Sequence, residues 1–283
     1  MDVRWDRRGS EEAVRGGTAP TLNDIRRAHR ERHGYERYLG LNTFLFRPAS
    51  FALTWVAVRV GLTSEAVSWL SGVVGLIGCA ALVSGDKALQ PAGLALLFLF
   101  NLLDCVDGDL ARTLKTRNPY GRFLDSVCGG IIDLAFWAVV GILAFRHPEL
   151  LRNPDGFGQG ALFWLGVGGA TCFLAVTLGY LERTYVELLV EAWERLHPGR
   201  AGAGAASDGE EAAPVLVARH LSRNLRVRET HYVLLLIAWW IRAIDVLLAA
   251  YLIFYALHAL LVLVLYARRG QAIKAAWLGD GER

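Results

Sequence analysis

The sequence predicts an all-α, polytopic membrane protein with six transmembrane helices preceded by an amphipathic interfacial helix. Three observations predict it. Of 283 residues, 54% are hydrophobic, and the mean hydropathy is +0.32. Charged residues make up only 20% of the chain, and they cluster at its ends and between long apolar runs. Several of those runs reach the ~20 residues that a helix needs to cross a bilayer. Together these features exclude a disordered chain, a disulfide scaffold and a soluble single domain. The net charge of +3 is carried almost wholly by arginine, because lysine occurs only at Lys87, Lys115 and Lys274. No basic face stands free of acids, so nucleic acid is excluded as a partner. Cys79, Cys105, Cys128 and Cys172 lie in apolar stretches without metal-ligand spacing and read as small packing residues.

Residues 1–40 are expected to form a polar cytoplasmic tail and a charged helical stretch, since residues 1–20 hold no apolar core of the kind a secretory signal needs. Residues 41–62 mix Arg47 and Arg59 with Phe51, Leu53, Trp55 and Val58. Two arginines inside a span are unfavourable, so this segment is expected to lie in the interface. Residues 63–269 form the six-helix domain. Thr63 and Ser64 can cap a first span that ends near Ser84. Pro91 opens a second that reaches Thr116, where Asn118-Pro119 breaks it. A third runs from Tyr120 to Phe145, and a fourth from Gly160 to Leu188. Residues 198–214 are a Gly/Ala/Ser/acidic linker, expected to be mobile and cytoplasmic. The block 232–266 is too long for one crossing and divides at Arg242 and Asp245. Residues 270–283 are expected to be a cytoplasmic tail. Six crossings place both termini on one side, and the arginine-rich loops around 112–122 and 195–228 make that side cytoplasmic.

The second span ends in acids that a membrane edge does not tolerate without a purpose. Asp104 and Asp107 stand at i and i+3 on one helical face. Like charges stacked there need a cation between them or partial protonation. Gly108 opens the backbone to a ligand, and Arg112 follows one turn later, where it can meet a phosphate. The turn at Pro119 makes the next helix an antiparallel neighbour, which brings Asp125 toward Asp104 and Asp107. Three convergent carboxylates form a hard oxygen site suited to Mg²⁺, Mn²⁺ or Ca²⁺. The plain alternative is that these acids pair with Arg112, Arg117 and Arg122.

The run Asp104-x-x-Asp107-Gly108-x-x-Ala111-Arg112, then eight residues, then Gly121-x-x-x-Asp125 resembles the signature of the CDP-alcohol phosphatidyltransferase family. Seven of its eight positions are present in register. The resemblance implies a CDP-alcohol or CDP-lipid donor, a hydroxyl acceptor, release of CMP, Mg²⁺ or Mn²⁺ as cofactor, and a homodimer among membrane lipids. It implies that Asp104, Asp107 and Asp125 hold the metal. It also implies that Gly108, Ala111, Arg112 and Gly121 bind the nucleotide. Family members often begin the first span with Pro-Asn-x-x-Thr. Here the matching stretch is Ser64-Glu65-Ala66-Val67-Ser68, so the Ser68 hydroxyl stands in for the threonine and is implied to join the CDP-alcohol-binding residues. Glu65 reads as a helix-dipole residue.

At the eighth position the family has a fourth aspartate, assigned as general base and second-metal ligand. This chain has Gly129. Three options remain open: an acceptor that brings its own base, Asp125 doubling as base, or binding without turnover. Asp133 lies on the same stripe, two turns beyond Asp125 and ~12 Å along the axis. It is either a replacement acid or a polar group paired with another span. A non-catalytic CDP-alcohol or metal-binding protein, a partner subunit and an ion-coupled transporter are the rival functions. Arg219, Arg223, Arg226 and Arg228 read as positive-inside bias or anionic-lipid contacts.

Overall fold

The computed structural model describes residues 20–29, 40–190, 192 and 221–280. Most of the expected N-terminal tail and the whole linker at 198–214 lie outside the described residues. Among those residues every regular element is a helix and no strand occurs. The helices are α1 (Leu22–His29), α2 (Arg47–Val60), α3 (Ser64–Leu82), α4 (Gln90–Thr113), α5 (Pro119–Arg146), α6 (Leu162–Tyr185), α7 (Arg228–Trp240) and α8 (Ile244–Asp280). A wider π turn, Asn42–Phe46, leads into α2. Five helices are long and apolar enough to cross a membrane: Ser64–Leu82, Lys87–Thr113, Pro119–Arg146, Leu162–Leu189 and Ile244–Leu278. The protein is therefore an all-α integral membrane protein with several spans.

Of the six expected crossings, the fifth corresponds to the 13-residue α7. At 1.5 Å per residue it is ~20 Å long, short of the ~30 Å hydrocarbon core. The break expected at Arg242 is present, with Arg242 in the left-handed region at φ 54°. Helix α8 is 37 residues long, so it runs straight through residue 270, where a tail was expected.

The chain divides into two compact units, with the divisions after Asp133 in α5 and after Ile237 in α7. In the first unit, α1, α2 and α3 pack on α4. Thr21 begins α1 with a reciprocal cap. Its hydroxyl donates to Asp24 Oδ2 at 2.7 Å, and the Asp24 N–H donates back to Thr21 Oγ1 at 3.3 Å. The hydrogen bonds from Thr21 hold the Asp24 carboxyl below the usual carboxylate range.

Helix α2 is polar on its inner face, where Arg47, Ser50, Thr54 and Ala57 are buried. Leu53, Val56 and Val60 are exposed, so its outer face is apolar and suits lipid contact. Of its two arginines, Arg47 turns inward. Arg59 lies over the Trp55 ring, 3.4 Å from its centroid. Helices α3 and α4 meet through small residues. A Cβ at Gly78 would lie 3.2 Å from the Gly93 carbonyl, and one at Gly93 would lie 3.0 Å from the Gly78 carbonyl. Such close backbone approach is how helices pack well where lipid removes the hydrophobic drive.

In the second unit, the Trp137 ring packs on Tyr251 at a 37° tilt, with centroids 4.3 Å apart. Gly141 and Gly168 touch backbone to backbone. Asp245 begins α8 and accepts hydrogen bonds from the Arg152 and Asn153 N–H groups at 3.1 and 2.8 Å. The acid that interrupts the last apolar block thus anchors a loop.

Candidate functional site

The first unit contains a cavity of about 980 Å³. All seven matched motif positions line it: Asp104, Asp107, Gly108, Ala111, Arg112, Gly121 and Asp125. Ser68, Gly129, Asp133 and Arg228 line it too. The α4 positions come from the last three turns of one helix, and Gly121 and Asp125 come from the first turns of the next.

The junction between α4 and α5 is fixed by side chains. Asn118 caps α5, its Oδ1 accepting from the Gly121 N–H at 2.7 Å. Asn118 Nδ2 donates to Glu65 Oε1 at 2.7 Å. Glu65 therefore ties the start of α3 to the start of α5, a larger part than the helix-dipole role read from its position. Gly121 faces this contact, since a Cβ there would come within 3.7 Å of Glu65 Oε1.

The acids divide into distinct environments. Asp107 is buried, and Ser68 Oγ donates to its Oδ2 at 2.6 Å. Asp104 and Asp125 both lie near enough to act electrostatically on Asp107. Asp104 Oδ1 pairs with Arg228 Nη1 at 3.0 Å. Asp133 is half exposed and accepts a two-pronged contact from Arg228, with Nε and Nη2 each at 2.9 Å. It is thus paired with a residue of another helix, at the surface of the cavity. Gly129 lies beneath the same guanidinium. A Cβ at position 129 would be 2.8 Å from Arg228 Nη2 and 3.5 Å from Asp104 Oδ1.

Arg112 lines the cavity but is held from behind, its Nη2 donating to Asp109 Oδ1 at 2.6 Å. Asp109 also accepts from Arg47 Nη1 at 3.3 Å and from Ser50 Oγ at 3.0 Å. His29 Nδ1 lies 3.1 Å from Asp109 Oδ1. Gly108 gives Arg112 its place, because a Cβ there would press within 3.2 Å of the guanidinium.

Among the described residues, no group of three His, Cys, Asp or Glu side chains is arranged as it stands to hold a metal ion. The donor chemistry nonetheless fits a hard divalent cation, with the carboxylates of Asp104, Asp107 and Asp125 and the Ser68 hydroxyl around one cavity, besides the carboxylate of Asp133. Four residues of this neighbourhood escaped the sequence reading of the site. Asp109 stood in plain view two positions after Asp107. Asn118 was visible only as a helix breaker, and Glu65 only as a dipole residue. Arg228 was grouped with its arginine neighbours, and no local signal separates it from them.

The family model for CDP-alcohol phosphatidyltransferase matches residues 62–195. No curated protein matches the chain. The matched stretch holds all seven motif positions around the cavity, and Arg228 lies outside it. Over residues 62–195, just under half of its length, this membrane protein thus matches the model of the CDP-alcohol phosphatidyltransferase family.

Proposed function

We propose that the protein transfers a substituted phosphate group from a CDP-alcohol or CDP-lipid to a hydroxyl acceptor, with release of CMP, in membrane-lipid biosynthesis. One observation carries the reading: seven residues that match a phosphotransferase signature in register line a single cavity. Arg117 and Arg122 stand at that cavity too. The arginine bias of this loop supports a cytoplasmic site.

Asp104, Asp107 and Asp125 would hold Mg²⁺ or Mn²⁺. Such an ion supplies charge neutralisation on the diphosphate and on the departing CMP. Mg²⁺ prefers such oxygen donors, and the three acids would supply its protein ligands. Ser68 limits how far Asp107 can turn, and so sets its orientation. Asp109 holds the Arg112 fork toward the cavity, where a bidentate contact to a phosphate suits a guanidinium. Gly108, Ala111 and Gly121 keep the walls low enough for the nucleotide to approach the backbone. The acceptor oxygen bonds to the β-phosphorus as the bond from that phosphorus to the CMP oxygen breaks, and the electron pair leaves with CMP. The acceptor proton passes to the Asp125 carboxylate, the acid left in register once position 129 carries no side chain.

The test is release of labelled CMP from reconstituted protein, with CDP-diacylglycerol and other CDP-alcohols scanned against a panel of hydroxyl acceptors. Release that depends on Mg²⁺ or Mn²⁺ and on Asp107 supports the reading. Gly129 favours a second reading, a binder that holds CDP-alcohol without turnover. Saturable CDP binding with no release against any acceptor would support that one.

A further inference from the structure

We infer that Arg228 is a built-in cation that takes the place of a second divalent ion in this cavity, so that the site works with one metal. The inference rests on the reading of the cavity as a metal-dependent CDP-alcohol site and deepens it. Three observations meet at one guanidinium. A side chain at position 129 would start 2.8 Å from Arg228 Nη2, so Arg228 fills the space where the signature's last acid would project. The same group contacts Asp104 at 3.0 Å and Asp133 at 2.9 Å, neutralising two acids of the cavity wall. It is held in place on its other side by the Phe100 ring, 4.7 Å from the guanidinium carbon to the ring centroid.

The chemistry follows from charge and space. A second ion needs carboxylates of its own; position 129 offers none, and Arg228 occupies Asp104 and Asp133, the nearby acids that could take that part. A fixed positive charge also repels a second cation arriving beside Asp104. The guanidinium still offers a planar, permanently charged face to anionic oxygens, which is what a second ion would contribute electrostatically. The loss of the acid and the presence of the arginine are therefore one change made in two places, about a hundred positions apart in sequence. Glycine at 129 leaves the space in which the guanidinium lies, and a side chain there would make its end shift. Arginine at 228 in turn relieves the repulsion that Asp104 would otherwise exert on Asp107 and Asp125. Asp133 completes the device as a positioning residue, its two oxygens matching Nε and Nη2 of the fork.

The experiment counts Mn²⁺ bound per chain in the full-length protein in detergent, with saturating CDP, by electron paramagnetic resonance. Wild type is expected to bind one ion, and Asp107→Asn none. Arg228→Gln should admit a second ion, whereas Arg228→Lys, which keeps the charge, should stay at one. Gly129→Asp alone should also stay at one, because Arg228 captures the new carboxylate. The double variant Gly129→Asp/Arg228→Gln should bind two, the second roughly tenfold or more tighter than in Arg228→Gln. Two ions in wild type, or one ion in a folded Arg228→Gln, would overturn the inference. If Arg228→Gln does not fold, Gly129→Asp decides, since a second ion there with Arg228 intact overturns it equally. Wild type that binds no Mn²⁺ removes the metal-site reading itself, a failure separate from any assigned to Arg228.

Discussion

Asp107 and Asp109 are two residues apart on α4, and both are buried, at 5% and 1% exposure. They face in directions about 200° apart around the helix, and their surroundings are opposite. Asp109 sits among Arg47, Arg112, Ser50 and His29, so its charge is matched and its oxygens are filled. Asp107 has the Ser68 hydroxyl and two neighbouring acids, and among the described residues no cation pairs with it. A buried carboxylate with its cations built in is architecture. A buried carboxylate left among other acids is prepared for a cation that comes from outside. The same side chain thus serves two ends, and the partners that each helix face meets decide which.

The largest break in this comparison is expected at Asp109. Asp109→Asn removes the buried carboxylate that Arg47, Arg112 and His29 share and loosens α1 and α2 from α4. Thermal unfolding in detergent should show a loss of about 3–5 kcal/mol, with or without Mn²⁺. Asp107→Asn should do the reverse. It relieves repulsion, so stability without metal should change by less than about 1 kcal/mol or rise. Metal-dependent stabilisation should vanish, and CMP release should fall roughly 100-fold or more, since the ion's several kcal/mol of charge stabilisation are lost. If the two variants behave alike on both measurements, the distinction drawn between these acids is wrong.

How much of this was legible in the sequence depends on how far apart the partners stand. The spacing of Asp104, Asp107, Gly108, Ala111 and Arg112 is local, and a helix converts such spacing directly into a shared face. The break before α5 was legible from Asn118-Pro119, and the one before α8 from Arg242. The division between Asp107 and Asp109 was not, because it is made by His29, Arg47, Ser50 and Ser68, residues 39 to 80 positions upstream of the acids they meet. Arg228 was hidden for the same reason, standing 95 positions from Asp133 within a cluster of arginines that bulk charge explains equally well. Helix length at the C-terminal end was obscured because apolar character continues past any membrane boundary, and no proline or glycine pair stops α8 at 270.

A smaller effect is expected where α3 and α5 are tied together. Asn118→Ala removes the cap on α5 and leaves Glu65 Oε1 without its donor. The loss should be about 1–2 kcal/mol of stability. CMP release should slow severalfold, because Gly121 and Asp125 ride on the turns that this cap begins. Glu65→Gln should cost less than Asn118→Ala, since an amide oxygen can still accept from Asn118. Unfolding and turnover measured on both variants test that order, and the reverse order would place the main support of the junction elsewhere.

The smallest effect separates orientation from architecture at one hydroxyl. Ser68 is buried on α3, and its proton is shared between the Ser64 carbonyl at 3.0 Å and Asp107 Oδ2 at 2.6 Å. Ser68→Ala deletes one donor to a charged acceptor. A charged hydrogen bond can contribute about 1.5–3 kcal/mol, but this one shares its proton with the Ser64 carbonyl, and Asp107 lines a cavity where water can replace the lost donor. The net change in stability without metal should therefore stay below about 1 kcal/mol. Mn²⁺ affinity should fall by up to about tenfold, at the low end of what supporting hydrogen bonds to metal ligands contribute, because the carboxylate must now be ordered by the ion itself. Ser68→Thr keeps the hydroxyl and should recover the affinity, provided the added methyl is accepted at a fully packed position. Equal Mn²⁺ affinity in wild type and Ser68→Ala, together with a loss of stability, would make Ser68 a packing residue of α3. Asp107 would then take its orientation from α4 alone.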